Sequence, residues 1–306
     1  MDVLTPPPTT TRTDVGWRAL RVWSIAALIG NMGIILTGAL VRLTKSGLGC
    51  PTWPRCTPES FVPVGMGLHG AIEFGNRMLT FVLVALAIGT FVAALRVRDG
   101  GAKRGDLVRL SVIAALGIPA QAIIGGITVR TQLNPYVVGL HMLVSVGLIV
   151  VLVLLVRRAR QLAPRETSAV GTRVVQVSFV LMMLTIILGV VVTGSAEHGG
   201  DLDAARTGFD VTTVAKIHAW TMWVAIAATV AAWVITRARQ VGWVILASLA
   251  QGVIGYLQYF NGLPIWIVAF HIVGVAVIAA LVGNMFWTLG GVDRLGAERA
   301  KVTVGN

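Results

Sequence analysis

Eight separate apolar runs, each close to the ~20 residues that cross a ~30 Å hydrocarbon layer, constrain this chain more than any other feature. They span 19–41, 77–95, 108–127, 137–156, 174–192, 214–235, 243–259 and 265–287. A lone segment in lipid must satisfy its backbone hydrogen bonds internally, so each run predicts a helix. The charge content agrees. Charged residues make up 12% of the chain and hydrophobic ones 56%, whereas soluble domains carry about 25% charge. The expected fold is an all-α polytopic membrane protein with eight transmembrane helices.

A formal net charge of +12 invites a nucleic-acid reading, but the placement of the charges argues against one. With the N-terminus inside, 18 of the 25 Lys and Arg residues fall on inner segments and 5 on outer loops. That bias is the positive-inside pattern. It predicts both termini on the cytoplasmic side of a bacterial-type plasma membrane, with membrane lipid as the surrounding partner and no nucleic acid. Residues 1–18 are polar, with a Pro/Thr run at 6–11, and read as a disordered cytoplasmic tail. The first apolar run exceeds a signal-peptide core and no clear small-residue cleavage site follows it, so a retained span is expected.

The two halves of the chain resemble each other. Ala120-Gln121-x-x-Ile124-Gly125 on the third run matches Ala250-Gln251-x-x-Ile254-Gly255 on the seventh. The same offset carries Leu133 onto Leu263 and His141 onto His271. Gly33-x3-Thr37-Gly38 on the first run matches Gly189-x3-Thr193-Gly194 on the fifth. Four spans per half is an even number, so the halves enter the membrane in one direction and are related by an axis along its normal. The expected organisation is a four-helix bundle over 19–157, a cytoplasmic linker over 158–172, a parallel-related bundle over 173–288 and a second tail over 289–306.

Cys50 and Cys56 are the only cysteines, and both lie in the first outer loop around the stiff segment 51–55. Two thiols on the oxidising side of a membrane predict a disulfide; two ligands fall short of the four of a structural zinc site.

Three of the five histidines, His141, His218 and His271, lie at similar depth near the outer ends of the fourth, sixth and eighth spans. Ionisable side chains within a membrane suggest function by default. Two imidazoles from facing helices are a standard way to hold haem iron in a bundle, and His218 with His271 meet that description. The bland alternative is a set of buried polar rings hydrogen-bonded to neighbours. In the first half, the position answering His218 is Asn76, a poor iron ligand, and His69 is an alternative ligand two turns earlier on the same face. Glu73 and Arg77 form an i,i+4 pair. They either neutralise each other, or Glu73 transfers protons while Arg77 pairs with a haem propionate.

These residues resemble the heme A synthase family of the cytochrome oxidase assembly pathway. The likeness rests on Gly38-Ala-Leu-Val-Arg42-Leu-Thr-x-Ser-Gly-Leu-Gly49-Cys50-x-x-Trp53-Pro-x-Cys56, Ile72-Glu73-x-x-Asn76-Arg77, Gln121-x3-Gly125-Gly126-x-Thr-Val129, His141, His218 and His271. The resemblance implies oxidation of the C8 methyl of heme O to a formyl by successive oxygen-dependent hydroxylations. It implies heme O as substrate in the N-terminal bundle with His141 as axial ligand, haem b in the C-terminal bundle on His218 and His271, and Glu73 as catalytic carboxylate. Heme O synthase and cytochrome oxidase assembly factors are the implied partners, and Cys50 with Cys56 match the family's outer-loop pair. One departure stands out: the family pattern Glu-x-x-His-Arg has Asn76 here in place of the histidine. A di-haem electron carrier or quinol oxidoreductase is the rival reading, and a transporter on the parallel repeat a weaker one, because few charged residues line the spans. The sequence names no electron donor.

Overall fold

The computed structural model describes residues 12–291; of the expected tails, 1–11 and 292–306 lie outside the described residues, whereas 12–18, expected in the disordered N-terminal tail, form the first turns of a helix that extends the first apolar run. Among the described residues there are eight long helices: α1 (Arg12–Leu43), α2 (Gly67–Arg96), α3 (Gly105–Arg130), α4 (Pro135–Ala159), α5 (Ala169–Ser195), α6 (Val211–Thr236), α7 (Arg239–Phe260) and α8 (Ile265–Leu289). All eight are long and apolar enough to cross a membrane. Large apolar side chains such as Phe81, Ile88, Leu116, Val180 and Val253 remain exposed on the helices. Hydrocarbon would cover them.

Local chemistry sets the helix ends. Asn134 caps α4, its side chain accepting from Tyr136 N at 3.0 Å with Pro135 at the first helical position, where the missing N–H costs nothing. Ser168 caps α5 by accepting from Gly171 N at 3.1 Å. Asp210 caps α6, accepting from the Thr213 hydroxyl at 2.6 Å and its N–H at 2.8 Å, and these bonds hold its carboxyl below the usual range. Helix α2 starts well before its apolar run. Its first turns carry His69, Glu73, Asn76 and Arg77, whose polar groups find partners described below.

One element was not expected. A two-residue hairpin, β1 (Arg98–Asp99) against β2 (Ala102–Lys103), joins α2 to α3. Its turn is Gly100-Gly101, at φ 56° and 85°. Two successive positive φ angles suit the tight turns of two-residue hairpins, and glycine adopts them without steric cost.

In the first half α1 packs on α2 and α4, and α3 lies between α2 and α4. In the second, α5 packs on α6 and α8, and α7 lies between α6 and α8. Contacts of α8 with α1 and α4, and of α4 with α5, join the halves. The tightly buried apolar residues gather toward one end. Leu20, Ala94, Val97, Leu107, Leu155 and Ala159 form that core in the first half; Val175, Val241, Val244, Ala279, Val282 and Met285 extend it in the second. The histidines lie toward the opposite end, where packing is looser.

At the tightly packed end, Arg104 donates two hydrogen bonds of 2.8 Å to Asp106, and Arg158 of α4 reaches the same carboxylate at 3.3 Å. Removing one member of a buried ionic cluster leaves the others uncompensated. Asp106→Ala is expected to cost about 3 kcal/mol, seen as a lower midpoint of thermal unfolding in detergent. An unchanged midpoint would mean that the cluster is solvated and structurally idle.

Candidate functional site

His141, His218 and His271 each lie about two turns into α4, α6 and α8, and each ring rests on a glycine of the preceding helix. An added Cβ would stand 3.3 Å from His141 Cε1 at Gly125, 3.0 Å from His218 Cε1 at Gly189, and 3.4 Å from His271 Cε1 at Gly255. One contact thus occurs three times: at the corresponding α3–α4 and α7–α8 pairs of the repeat, and again between α5 and α6. The sequence repeat picked out these glycines; what they touch was not legible, because absence of a side chain leaves no pattern.

His218 Nδ1 donates to Thr185 O at 2.9 Å, one turn before Gly189. A neutral imidazole that donates from Nδ1 keeps its lone pair on Nε2. The Nδ1 atom of His141 is buried without a hydrogen-bond partner, an unfavourable state for a polar atom in a low-dielectric interior. The rings of His218 and His271 have centroids 6.4 Å apart at an interplanar angle of 81°. Two imidazoles on opposite sides of one metal ion need roughly that separation, since a metal–nitrogen bond is about 2 Å and a ring nitrogen lies about 1 Å from the ring centre. The donor set and the spacing fit a haem group held by facing helices. Among the described residues there is no cluster of three or more metal-ligating side chains.

The corresponding corner of the first half differs. Asn76 stands beside α1, its Oδ1 accepting from Thr37 Oγ1 at 2.7 Å. Thr37 Oγ1 also lies 3.2 Å from Ile34 O on its own helix, and Thr193, its counterpart, donates to Gly189 O on its own helix at 2.7 Å. A Cβ added to Gly33, the counterpart of Gly189, would meet nothing within 4 Å. His69 lies in the first turn of α2, about 10 Å along the helix from Asn76, with Nδ1 2.9 Å from Ser46 Oγ. The structure therefore ties His69 to the loop that follows α1.

Glu73 and Arg77 pair at 2.5 Å, and both also hold that loop. Glu73 Oε2 accepts from Cys50 N at 2.6 Å. Arg77 donates to Cys50 O and Thr52 O at 3.0 Å and to Arg55 O at 3.2 Å. Together with its two bonds to Glu73 Oε1, these use all five donors of the guanidinium. Arg77, expected at a haem propionate, has no donor left for one in this arrangement; the cause is the loop backbone, whose carbonyls cannot be read from side-chain spacing. Cys50 and Cys56 form the expected disulfide. Trp53 of the same loop packs on Gly126 of α3, where a Cβ would overlap its ring, and Arg130 lies over Trp53 at 5.8 Å. The loop covers the end of the first half.

His198, in the loop after α5, is half-buried, with Nε2 3.0 Å from Leu263 O. Its carbonyl accepts from Arg42, which also donates to Thr193 O at 2.6 Å. Arg42 thereby joins the two halves.

Glu73→Ala would remove two charge-assisted bonds from Arg77 and one from Cys50 N. Such bonds contribute about 1.5–3 kcal/mol each, and about 1.4 kcal/mol corresponds to a factor of ten. Reduction of the disulfide by a membrane-impermeant phosphine, followed by thiol labelling, is expected to run about ten-fold faster or more in that variant. An unaltered rate would mean that the ion pair does not hold the loop.

The family described as cytochrome oxidase assembly protein (COX15-CtaA) matches residues 21–66 and 68–199, more than half of the chain. The match covers Glu73, Asn76, Arg77, His141 and both cysteines, while His218 and His271 lie beyond it. Among similar proteins is the heme A synthase of Geobacillus thermodenitrificans, 30% identical over 168 residues, which are 55% of this chain and 50% of that protein. The heme A synthase of Lysinibacillus sphaericus is 32% identical over 42% of this chain and 41% of its own length. That of Listeria monocytogenes serotype 4a is 28% identical over 50% and 51%. The chain spans about half the length, or less, of the curated relatives it matches. With the matched segment carrying Glu73, His141 and the disulfide loop, the chain belongs to the COX15-CtaA family of cytochrome oxidase assembly proteins.

Proposed function

We propose that this chain is a heme A synthase, which oxidises the C8 methyl of heme O to a formyl by successive oxygen-dependent hydroxylations. The observation that carries this reading is the pairing of His218 with His271 at 6.4 Å, beside an unequal counterpart made of His141 and Asn76. Two equal sites would suit a carrier with two permanent haems. Unequal sites suit one resident group and one that enters, reacts and leaves. The likeness of the chain to proteins named heme A synthase gives that entering group its identity.

In this reading His218 and His271 hold haem b between α6 and α8, and His141 holds heme O in the first half. The closed neighbour relations within each set of four helices support two bundles, 19–157 and 173–288, with both termini cytoplasmic and the disulfide loop outside. When bound, haem b supplies an electron relay toward the first half. Each hydroxylation takes up dioxygen, two electrons and two protons and releases water, so a proton carrier is needed beside the substrate. Glu73 suits that task. Its Oε1 is neutralised by Arg77, while Oε2 accepts one bond from Cys50 N and keeps a lone pair for a proton. Arg77 serves as a positioning residue that fixes Glu73 and the loop together. The loop excludes water from the first half through Trp53 on Gly126. Heme O synthase as the source of substrate, and assembly factors as recipients of product, complete the proposed partners.

His218→Ala and His271→Ala are each expected to abolish most of a low-spin b-type absorption spectrum; an unchanged spectrum would end the assignment. Gly255→Val should act through the ring it displaces and weaken the same signal, whereas a full signal would mean that His271 does not need that close approach. Glu73→Gln should keep haem binding and lower formation of oxidised haem by roughly 10²-fold or more, the range of general acid–base catalysis. Normal turnover in that variant would leave Glu73 a structural residue only.

A further inference from the structure

We propose that Asn76 is not an iron ligand but a positioned hydrogen-bond donor, so that the first-half haem is held by His141 alone and its opposite face stays open to a small diatomic ligand. This inference rests on the preceding reading that a haem occupies the first half. The carrying observation is that the fourth glycine–histidine corner has been rebuilt. At the other three corners a ring lies so near a glycine that an added Cβ would stand 3.0–3.4 Å from its Cε1. At the fourth, Gly33 faces open space, and Asn76 is drawn to Thr37 by the 2.7 Å bond from the threonine hydroxyl to Oδ1.

That bond decides the chemistry Asn76 can offer. Oδ1 is turned toward Thr37 and accepts its bond, so the amide turns its nitrogen the other way, and Nδ2 makes no hydrogen bond within the described residues. An amide nitrogen that carries two hydrogens has no lone pair to give a metal, but it donates hydrogen bonds. The internal correspondence that makes His218 face His271 sets Asn76 across from His141. An amide N–H there would stabilise negative charge that develops on a bound diatomic molecule, a preorganised donor in a water-poor site. His69 does not fill the open position. It lies about 10 Å along α2 from Asn76, and Ser46 holds its Nδ1.

Carbon monoxide is a suitable probe, because it binds ferrous haem iron only where a coordination position is open. The protein, expressed in a host that supplies heme O and purified with its haems, would be reduced and titrated with CO. Expected is up to one CO-binding haem per chain beside a CO-inert low-spin haem, with the same stoichiometry in His69→Ala. Asn76→His should abolish CO binding and convert the high-spin component to low-spin. Asn76→Val should keep CO binding but move the C–O stretch to higher frequency, through loss of the donor; Thr37→Val should shift it in the same direction by a smaller amount. Two haems per chain with no CO binding in the wild type would overturn the proposal, as would CO binding that appears only in His69→Ala. A C–O stretch unmoved in Asn76→Val would overturn the donor role. A single haem per chain, lost in His218→Ala, would instead remove the first-half haem and with it the preceding reading.

Discussion

The contact between a glycine on one helix and an imidazole on the next, made three times, is the constraint on which this site depends. A ring within a membrane-spanning bundle is costly unless its nitrogens are bonded. The three histidines sit where the neighbouring helix carries no side chain, so the Cε1 edge of each ring comes close to that helix. In the second half this brings His218 and His271 to a separation suited to a shared metal centre. The apolar cores lie toward the other end of the helices, so tight packing there holds the frame.

A second constraint acts only on the first half. Glu73 and Arg77 bind each other and also the backbone around the disulfide. The covering loop and the carboxylate are therefore one mechanical unit. Displacing the loop would disturb Glu73, and a change of charge on Glu73 would be felt by the loop. The corresponding loop of the second half has no cysteine pair. In the proposed function this divides the labour between halves, the covered one carrying the chemistry and the other holding its ring pair.

Much of the fold was legible because lipid imposes simple demands on sequence. Eight apolar runs became eight helices, and the cysteine pair became a disulfide, since span length and redox environment act through composition. The i,i+4 spacing of Glu73 and Arg77 gave their ion pair. Their hold on the loop was hidden because it runs through the carbonyls of Cys50, Thr52 and Arg55, which carry no residue signature. The same is true of Arg42, which reaches Thr193 O and His198 O across 151 and 156 residues. The Gly-Gly hairpin was missed because two-residue strands fall below any period. The Asn76 substitution was visible in sequence, but the Thr37 bond that fixes its amide required the structure.

The most direct measurement is the identity of the haems carried by the wild-type protein from a heme O-supplying host, extracted and resolved by chromatography and mass. Heme B together with heme O and heme A, or a hydroxylated form between them, is the expected result and would establish oxidation of a bound haem. Heme B alone, near two per chain with heme O present in the cells, would contradict it and make the protein an electron carrier.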